Sequence, residues 1–172
     1  MKFFKILSLV STFILLFTVL PSISQAYVLN SNKISDPKDA YYWIDPAFSK
    51  YSGLKAEVKT GITSWNPTPE IQFTKEASAP GGGNVKIEYI DQYSGNTYAV
   101  SRGKGNITVY KKWRAELNST RRKETISHEV GHELGLAHTQ SKNNSISVMR
   151  QLGFNDKPYP LSDDKAGIKA KY

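Results

Sequence analysis

The chain has 172 residues, a formal net charge of +8 and no cysteine. The lack of cysteine excludes disulfides, thiol catalysis and any zinc site built from thiolates. A chain of this length forms one domain, whose stability must come from its hydrophobic core and from any bound metal.

The first 26 residues have the pattern of a secretory signal peptide. Lys2 and Lys5 precede an almost wholly apolar run over residues 6–20, and small residues stand at 24–26. The alternative is a membrane anchor, but the run is shorter than the roughly 20 residues that a spanning helix needs. We therefore predict a signal peptide over residues 1–26, a mature domain over residues 27–172, and a secreted, extracellular protein without a membrane span after cleavage.

Much of the positive charge falls in two basic clusters at residues 111–114 and 121–123. Basic clusters with aromatic neighbours can bind nucleic acid or acidic polymers. No nucleic-acid motif accompanies these residues, so we interpret them as a solvated surface beside a helix.

A polar surface arm over residues 27–38 is followed by a short strand at residues 40–44. Apolar residues at helical spacing between residues 54 and 65 predict a helix, which Pro67 ends. Alternating or β-branched residues predict further strands at residues 70–75, 85–89, 98–101 and 107–110. The glycine-rich stretch at residues 80–83 precedes a strand, so it predicts a flexible connection and not a phosphate-binding loop.

A second long helix begins near Ser119 or Thr120, either of which can cap its first amide groups. Its apolar stripe runs from residue 126 to residue 134, and Gly135 suits its end. A short helix over residues 163–171 follows an irregular segment. This order of elements predicts an α+β fold with helices packed on a twisted sheet.

All three histidines of the chain, His128, His132 and His138, lie at the end of this second long helix. Residues four apart on a helix are about 40° apart around the axis and about 6 Å apart along it, so two imidazoles can converge on one ion. Gly135 permits the turn that brings His138 back to them. The pattern predicts one catalytic Zn²⁺ with a fourth position left for water.

Glu129 stands directly after the first of these histidines. Three neutral ligands leave the full charge of the ion, which lowers the pKa of the bound water. Glu129 can accept the proton of that water as general base and pass it to the leaving amine. Glu133 lies away from the convergence of the histidines, so we assign it no catalytic part.

The segment over residues 128–138 resembles the zinc-binding motif of the metzincins, and Met149 resembles their methionine turn. The resemblance implies a twisted mixed sheet with packed helices, an active-site helix, a methionine turn and a short C-terminal helix. It also implies a secreted zinc-dependent metalloendopeptidase that hydrolyses peptide bonds with a zinc-bound water activated by Glu129.

Within the metzincins, the closest likeness is to the matrixins, the matrix-metalloprotease-like branch. Thr139, Trp113 and residues 163–168 resemble that branch. The chain departs from it in having no histidines for a second zinc and no propeptide cysteine. Gln151 stands where some sister branches have a tyrosine ligand. Calcium is common in the family, although no loop here shows a convincing set of carboxylates.

The resemblance further implies that a protein or peptide substrate binds along an edge strand, for which Tyr98, Ala99 and Val100 are the candidates. A pocket for a substrate side chain is expected between residues 149 and 160, with Phe154 and Tyr159 in its wall. We expect a monomer. The alternative from another class is a non-catalytic binding protein, stabilised by zinc, that recognises acidic surface polymers.

Overall fold

The computed structural model describes residues 26–172, so the predicted signal peptide lies outside the described residues apart from Ala26. The strands are β1 Ala40–Ile44, β2 Phe73–Glu76, β3 Val85–Ile90, β4 Ala99–Ser101 and β5 Asn106–Tyr110. The α-helices are α1 Leu54–Thr63, α2 Lys111–Glu116, α3 Ser119–Glu133 and α4 Ser162–Lys171. These elements form the predicted α+β fold.

The five strands form one mixed sheet in the order β2-β1-β3-β5-β4. The pairs β1–β2, β1–β3 and β3–β5 are parallel, whereas β4 pairs antiparallel with β5. Alternate residues of β1 and β3 are buried, as expected for strands with one face on the core. The strand predicted to bind substrate therefore lies at an edge of the sheet as β4, but Tyr98, which was predicted to belong to it, precedes its first residue.

Helices α1 and α3 pack closely against each other behind the sheet. A Cβ added at Gly61 of α1 would come within 2.6 Å of the Ile126 Cβ, so the two helices approach where α1 has no side chain. The indole Nε1 of Trp65 donates to the Ser127 carbonyl at 3.0 Å. These contacts fix the helix that carries the histidines.

Among the boundaries that differ from the predictions, three have local reasons. Helix α1 ends at Thr63, and the buried Trp65 belongs to the turn that follows. Strand β2 begins at Phe73 because the Asn66 side chain binds the backbone of that residue. The cap of α3 is Asn118, whose side chain accepts from the Arg121 amide at 2.9 Å, so capping by Ser119 or Thr120 was wrong.

Helix α2 was not predicted, because its basic residues suggested only a charged surface. Its Trp113 is fully buried and donates to the Arg122 carbonyl at 2.9 Å. Residues 80–82 form a single 3-10 turn where a flexible connection was expected. Over residues 26–172, no helix has the length and apolar character needed to cross a membrane.

Candidate metal centre and active site

The three histidines converge as their spacing predicts. His128 and His132 project from one face of α3, and Gly135, with φ of 102°, turns the chain so that His138 returns to them. The candidate ligand atoms of the three residues all lie within 4.8 Å of one another. This is the one group of three or more potential ligand residues found within residues 26–172.

Backbone carbonyls orient two of the three rings. The Nδ1 atom of His128 lies 2.8 Å from the Val148 carbonyl, and the Nδ1 atom of His132 lies 2.8 Å from the Leu136 carbonyl. A carbonyl can only accept, so Nδ1 carries the proton in both rings and Nε2 keeps its lone pair. Such partners fix the tautomer and the direction of a ligand ring.

The surroundings of the rings favour the neutral form that binds metal. Burial lowers the pKa of His128 to about 4 and that of His132 to about 4, and burial also lowers the pKa of His138. Three close, neutral imidazoles, two of them oriented by backbone carbonyls, match the donor set of a catalytic zinc site. The residues of this chain therefore fit Zn²⁺.

Glu129 lies beside the triad in the same cleft. The residue is 9 % exposed, and its Oε2 accepts from the Ser101 amide at 2.7 Å. Burial raises the pKa of Glu129, which suits a group that must take up and release a proton. Its role as general base stays a prediction.

Met149 packs beneath the histidines against α3. It is 1 % exposed, and a Cβ added at Gly131 would overlap its Sδ atom. Asp164 of α4 holds the turn in place, since its carboxylate accepts from the Val148 amide at 2.7 Å, from the Leu161 amide at 2.7 Å and from the Ser147 hydroxyl. The predicted methionine turn thus also positions the Val148 carbonyl that orients His128.

The segment at residues 28–32 is a part of the site that the sequence analysis missed. Leu29 forms an antiparallel bridge with Leu136, so this segment is not a free surface arm. The side-chain amide of Asn30 donates to the Leu136 carbonyl at 2.8 Å and to the His132 carbonyl at 3.0 Å. Asn32 donates to the same His132 carbonyl at 3.1 Å. No local pattern could reveal these contacts, because their partners are about a hundred residues away.

The edge strand β4 and a side cavity border the candidate metal centre. The cleft beside the histidines is lined by Ala99, Val100 and Ser101. A cavity of about 290 Å³ opens next to His128, and residues 96–99 and 150–154 form much of its wall. The ring centroids of Tyr98 and Phe154 lie 6.1 Å apart at this wall. Tyr159 is exposed and does not line the cavity, so its predicted part in the wall was wrong.

All three arginines among the basic residues considered for polymer binding have acidic partners within the chain. Arg114 pairs with Asp91 at 3.0 Å, Arg121 pairs with Asp156 at 2.8 Å, and Arg122 pairs with Glu57 at 2.5 Å. Paired charges attract an external polyanion less strongly than free ones do. The structure therefore does not favour the non-catalytic binding hypothesis.

A comparison with known protein families gives a match over most of the chain. The model of the astacin peptidase family matches residues 30–152, a span that contains all three histidines and Met149. Astacins are metzincin-type zinc metallopeptidases with one catalytic zinc, so the match confirms those predictions. They are a different branch from the matrixins, and the narrower matrixin resemblance is not confirmed. A comparison with curated proteins finds no match.

Proposed function

The chain belongs to the astacin family of zinc metallopeptidases, and we propose that it is a secreted endopeptidase whose zinc ion is held by His128, His132 and His138. The proposal assigns the role of general base to Glu129. The observation that carries it is the convergence of the three imidazoles, with ligand atoms within 4.8 Å of one another, beside this carboxylate.

The three imidazoles would hold zinc, which would supply Lewis acidity to polarise the scissile carbonyl and to lower the pKa of water. The proton transfers fall to Glu129. Glu129, held by the Ser101 amide, takes a proton from the attacking water and delivers it to the leaving amine. Burial raises the pKa of Glu129, which helps the carboxylate to hold the proton between its uptake from water and its delivery to the amine.

The edge strand supports extended binding of a peptide. The Tyr110 amide donates to the Tyr98 carbonyl, and the Arg102 amide donates to the Asn106 carbonyl. In an antiparallel ladder the backbone groups of alternate residues point outwards, so those of Ala99 and Ser101 face away from β5. A substrate backbone pairs with the outward groups of Ala99 and with the Ser101 carbonyl, because the Ser101 amide already donates to Glu129, and the cavity beside His128 receives one of its side chains.

We also propose secretion, which rests on the signal-peptide pattern over residues 1–26. Expression with the native leader tests it, because cleavage after Ala26 gives a medium-borne protein that begins at Tyr27. The intact mass of the protein in the medium measures this. Retention of the full chain in the cell pellet would contradict the proposal.

From the features that resemble matrixins, we also propose which residues bind the zinc. Thr139 after the third histidine and Gln151 two residues after Met149 support a site with three imidazoles as its only protein ligands. Gln151 borders the cleft, and its amide is a weak zinc ligand compared with imidazole or a phenolate. A zinc K-edge X-ray absorption spectrum that changes in Gln151→Ala would contradict this arrangement.

Digestion of a proteome-derived peptide library tests the function. The zinc-loaded parent should cleave peptides internally, and a chelator should stop cleavage until zinc is restored. Glu129→Ala should keep one zinc per chain and lose at least about a thousandfold in kcat, as expected when a proton-transfer group is removed. Glu88→Ala, an exposed change on β3, is the matched control and should retain parental activity. Turnover by Glu129→Ala close to that of the parent would exclude the mechanism.

A further inference from the structure

Glu133 is a buried carboxylate that the proposed mechanism does not use. It is the last residue of α3, it is 1 % exposed, and it points away from the histidines towards the connection between β4 and β5. Three donors surround it. Ser101 Oγ donates to Oε1 at 2.5 Å, the Gly103 amide donates to Oε1 at 2.9 Å, and the Gly105 amide donates to Oε2 at 2.7 Å.

The connection that Glu133 binds has an unusual backbone. Gly103, Lys104 and Gly105 have φ angles of 77°, 54° and 78°, so three successive residues occupy the left-handed region. That conformation is costly for the non-glycine residue in the middle. The turn directs the amides of Gly103 and Gly105 at one carboxylate, in the manner of an anion-binding nest. Glu133 thus holds the turn in this conformation.

Ser101 joins this buried carboxylate to the active site. Its hydroxyl donates to Glu133, while its backbone amide donates to Oε2 of Glu129 at 2.7 Å. Ser101 is also the last residue of β4, so its location depends on the turn that follows. Ser101 therefore binds both Glu129 and Glu133, and the position of its amide is set by Glu133.

We propose that Glu133 is a positioning residue of the peptidase, which acts through Ser101 to fix the orientation of the Glu129 carboxylate. The inference rests on the proposed function, because that function gives Glu129 its proton transfers. Release of the turn lets the Ser101 amide move, so Glu129 loses the donor that aims one of its oxygens. The histidine rings have other anchors, namely the Val148 and Leu136 carbonyls.

The inference predicts separate effects on kcat, KM and zinc binding. Glu133→Gln preserves the shape of the side chain but replaces one acceptor oxygen with an NH₂ group. That group is a donor and faces at least one of the three donors around the side chain. We expect kcat to fall about tenfold, as expected for the loss of one charge-assisted hydrogen bond in the site. KM should change by less than about threefold, because Ala99 keeps its place in the ladder with β5. Zinc affinity should also change by less than about threefold, because Glu133 contacts no imidazole.

Two further variants separate positioning from a general loss of stability. Ser101→Ala removes only the hydroxyl that links β4 to Glu133 and should lower kcat about threefold. Combined with Glu133→Gln, it should add little, because both changes break the same connection. Glu57→Gln removes a partly buried ion pair with Arg122, remote from β4, and controls for destabilisation. It should keep the parental kcat.

Amide hydrogen exchange measured by NMR provides a readout independent of activity. In Glu133→Gln the amides of Ser101, Gly103 and Gly105 should exchange at least about tenfold faster than in the parent, with or without zinc. Faster exchange at these amides with an unchanged kcat would overturn the proposal, and so would unchanged exchange. If Glu133→Gln does not fold, Ser101→Ala decides by the same two criteria. An inactive zinc-loaded parent would overturn the proposed function and with it the catalytic role of Glu133, whereas the exchange rates would still report whether the carboxylate holds the turn.

Discussion

Gly131 and Met149 are in direct contact beneath the candidate metal centre. A Cβ added at Gly131 would overlap the Met149 Sδ atom and come within 2.9 Å of Trp65 Cζ2. Gly131 lies on α3 between the first two histidines, so the methionine reaches the helix surface only where no side chain intervenes. This contact sets the distance between the methionine turn and the ligand-bearing helix.

Gly131→Ala should therefore disturb both folding and metal binding. Overpacking at this contact should lower the free energy of unfolding by about 1–3 kcal/mol, measured by urea denaturation. Zinc affinity, measured by competition with a chromophoric chelator, should fall about tenfold, because the displaced turn carries the Val148 carbonyl that orients His128. Gly61→Ala is the matched control, since it crowds Ile126 and should destabilise the fold without this effect on zinc. Equal zinc affinities in both variants would contradict the prediction.

Asp164→Ala should release the methionine turn from α4. Its carboxylate accepts from the amides of Val148 and Leu161 and from the Ser147 hydroxyl, and the substitution leaves these donors buried without a partner. We expect a loss of about 3 kcal/mol in the free energy of unfolding, given about 1–3 kcal/mol for each buried unsatisfied donor and partial relaxation. Urea denaturation measures the loss. Asp156→Ala removes an exposed ion pair and should change stability by less than about 1 kcal/mol.

Asn30→Ala should weaken zinc binding through the carbonyl that orients His132. The Leu136 carbonyl accepts both from His132 Nδ1 and from the Asn30 amide, so Asn30 helps to hold the atom that fixes the ring. Removal of such a partner typically costs about 10–100-fold in metal affinity. Asn32→Ala removes only a contact with the His132 carbonyl and should cost less. Equal zinc affinity in Asn30→Ala and the parent would show that the Leu136 carbonyl needs no such support.

Tyr89 should make stability depend on pH in the alkaline range. Burial raises the pKa of Tyr89 from 10.0 to about 12, against the lowering effect of the hydrogen bond from Arg114. The native state therefore holds the phenolic proton more tightly than the unfolded chain does. The resulting stabilisation is fully present below pH 10 and is lost as the pH rises through about 12. Urea denaturation at several pH values measures it, and Tyr89→Phe should have a smaller slope over this interval. Identical slopes would contradict the assignment.

The features predicted from the sequence are those fixed by local geometry. The helical period brings His128 and His132 to one face, and Gly135 is the residue that allows His138 to return. Alternating or β-branched residues likewise indicated the strands of the sheet, whereas the edge location of β4 was implied by the resemblance to the metzincins. In each case the separation of residues along the chain determines which face of the helix or strand their side chains occupy.

The features that escaped prediction depend on partners distant in sequence. Asn30 contacts a carbonyl 106 positions away, and Glu133 contacts a turn about 30 positions away. A polar residue in a surface-like segment carries no mark of such a partner. Helix α2 was missed for a related reason, because the burial of Trp113 outweighs the charge of its neighbours.

The contacts of Asn30 join both ends of the described chain to the metal centre. Its side chain reaches carbonyls at the end of α3, and its own carbonyl accepts from Lys171 Nζ at 2.7 Å, across 141 positions. Contacts that close such long loops form late in folding, because their entropic cost must be met before they stabilise anything. A partly folded chain therefore has all its histidines but no rigid cage for the ion. Tight zinc binding, and the peptidase activity that depends on it, is therefore expected only of the fully folded chain.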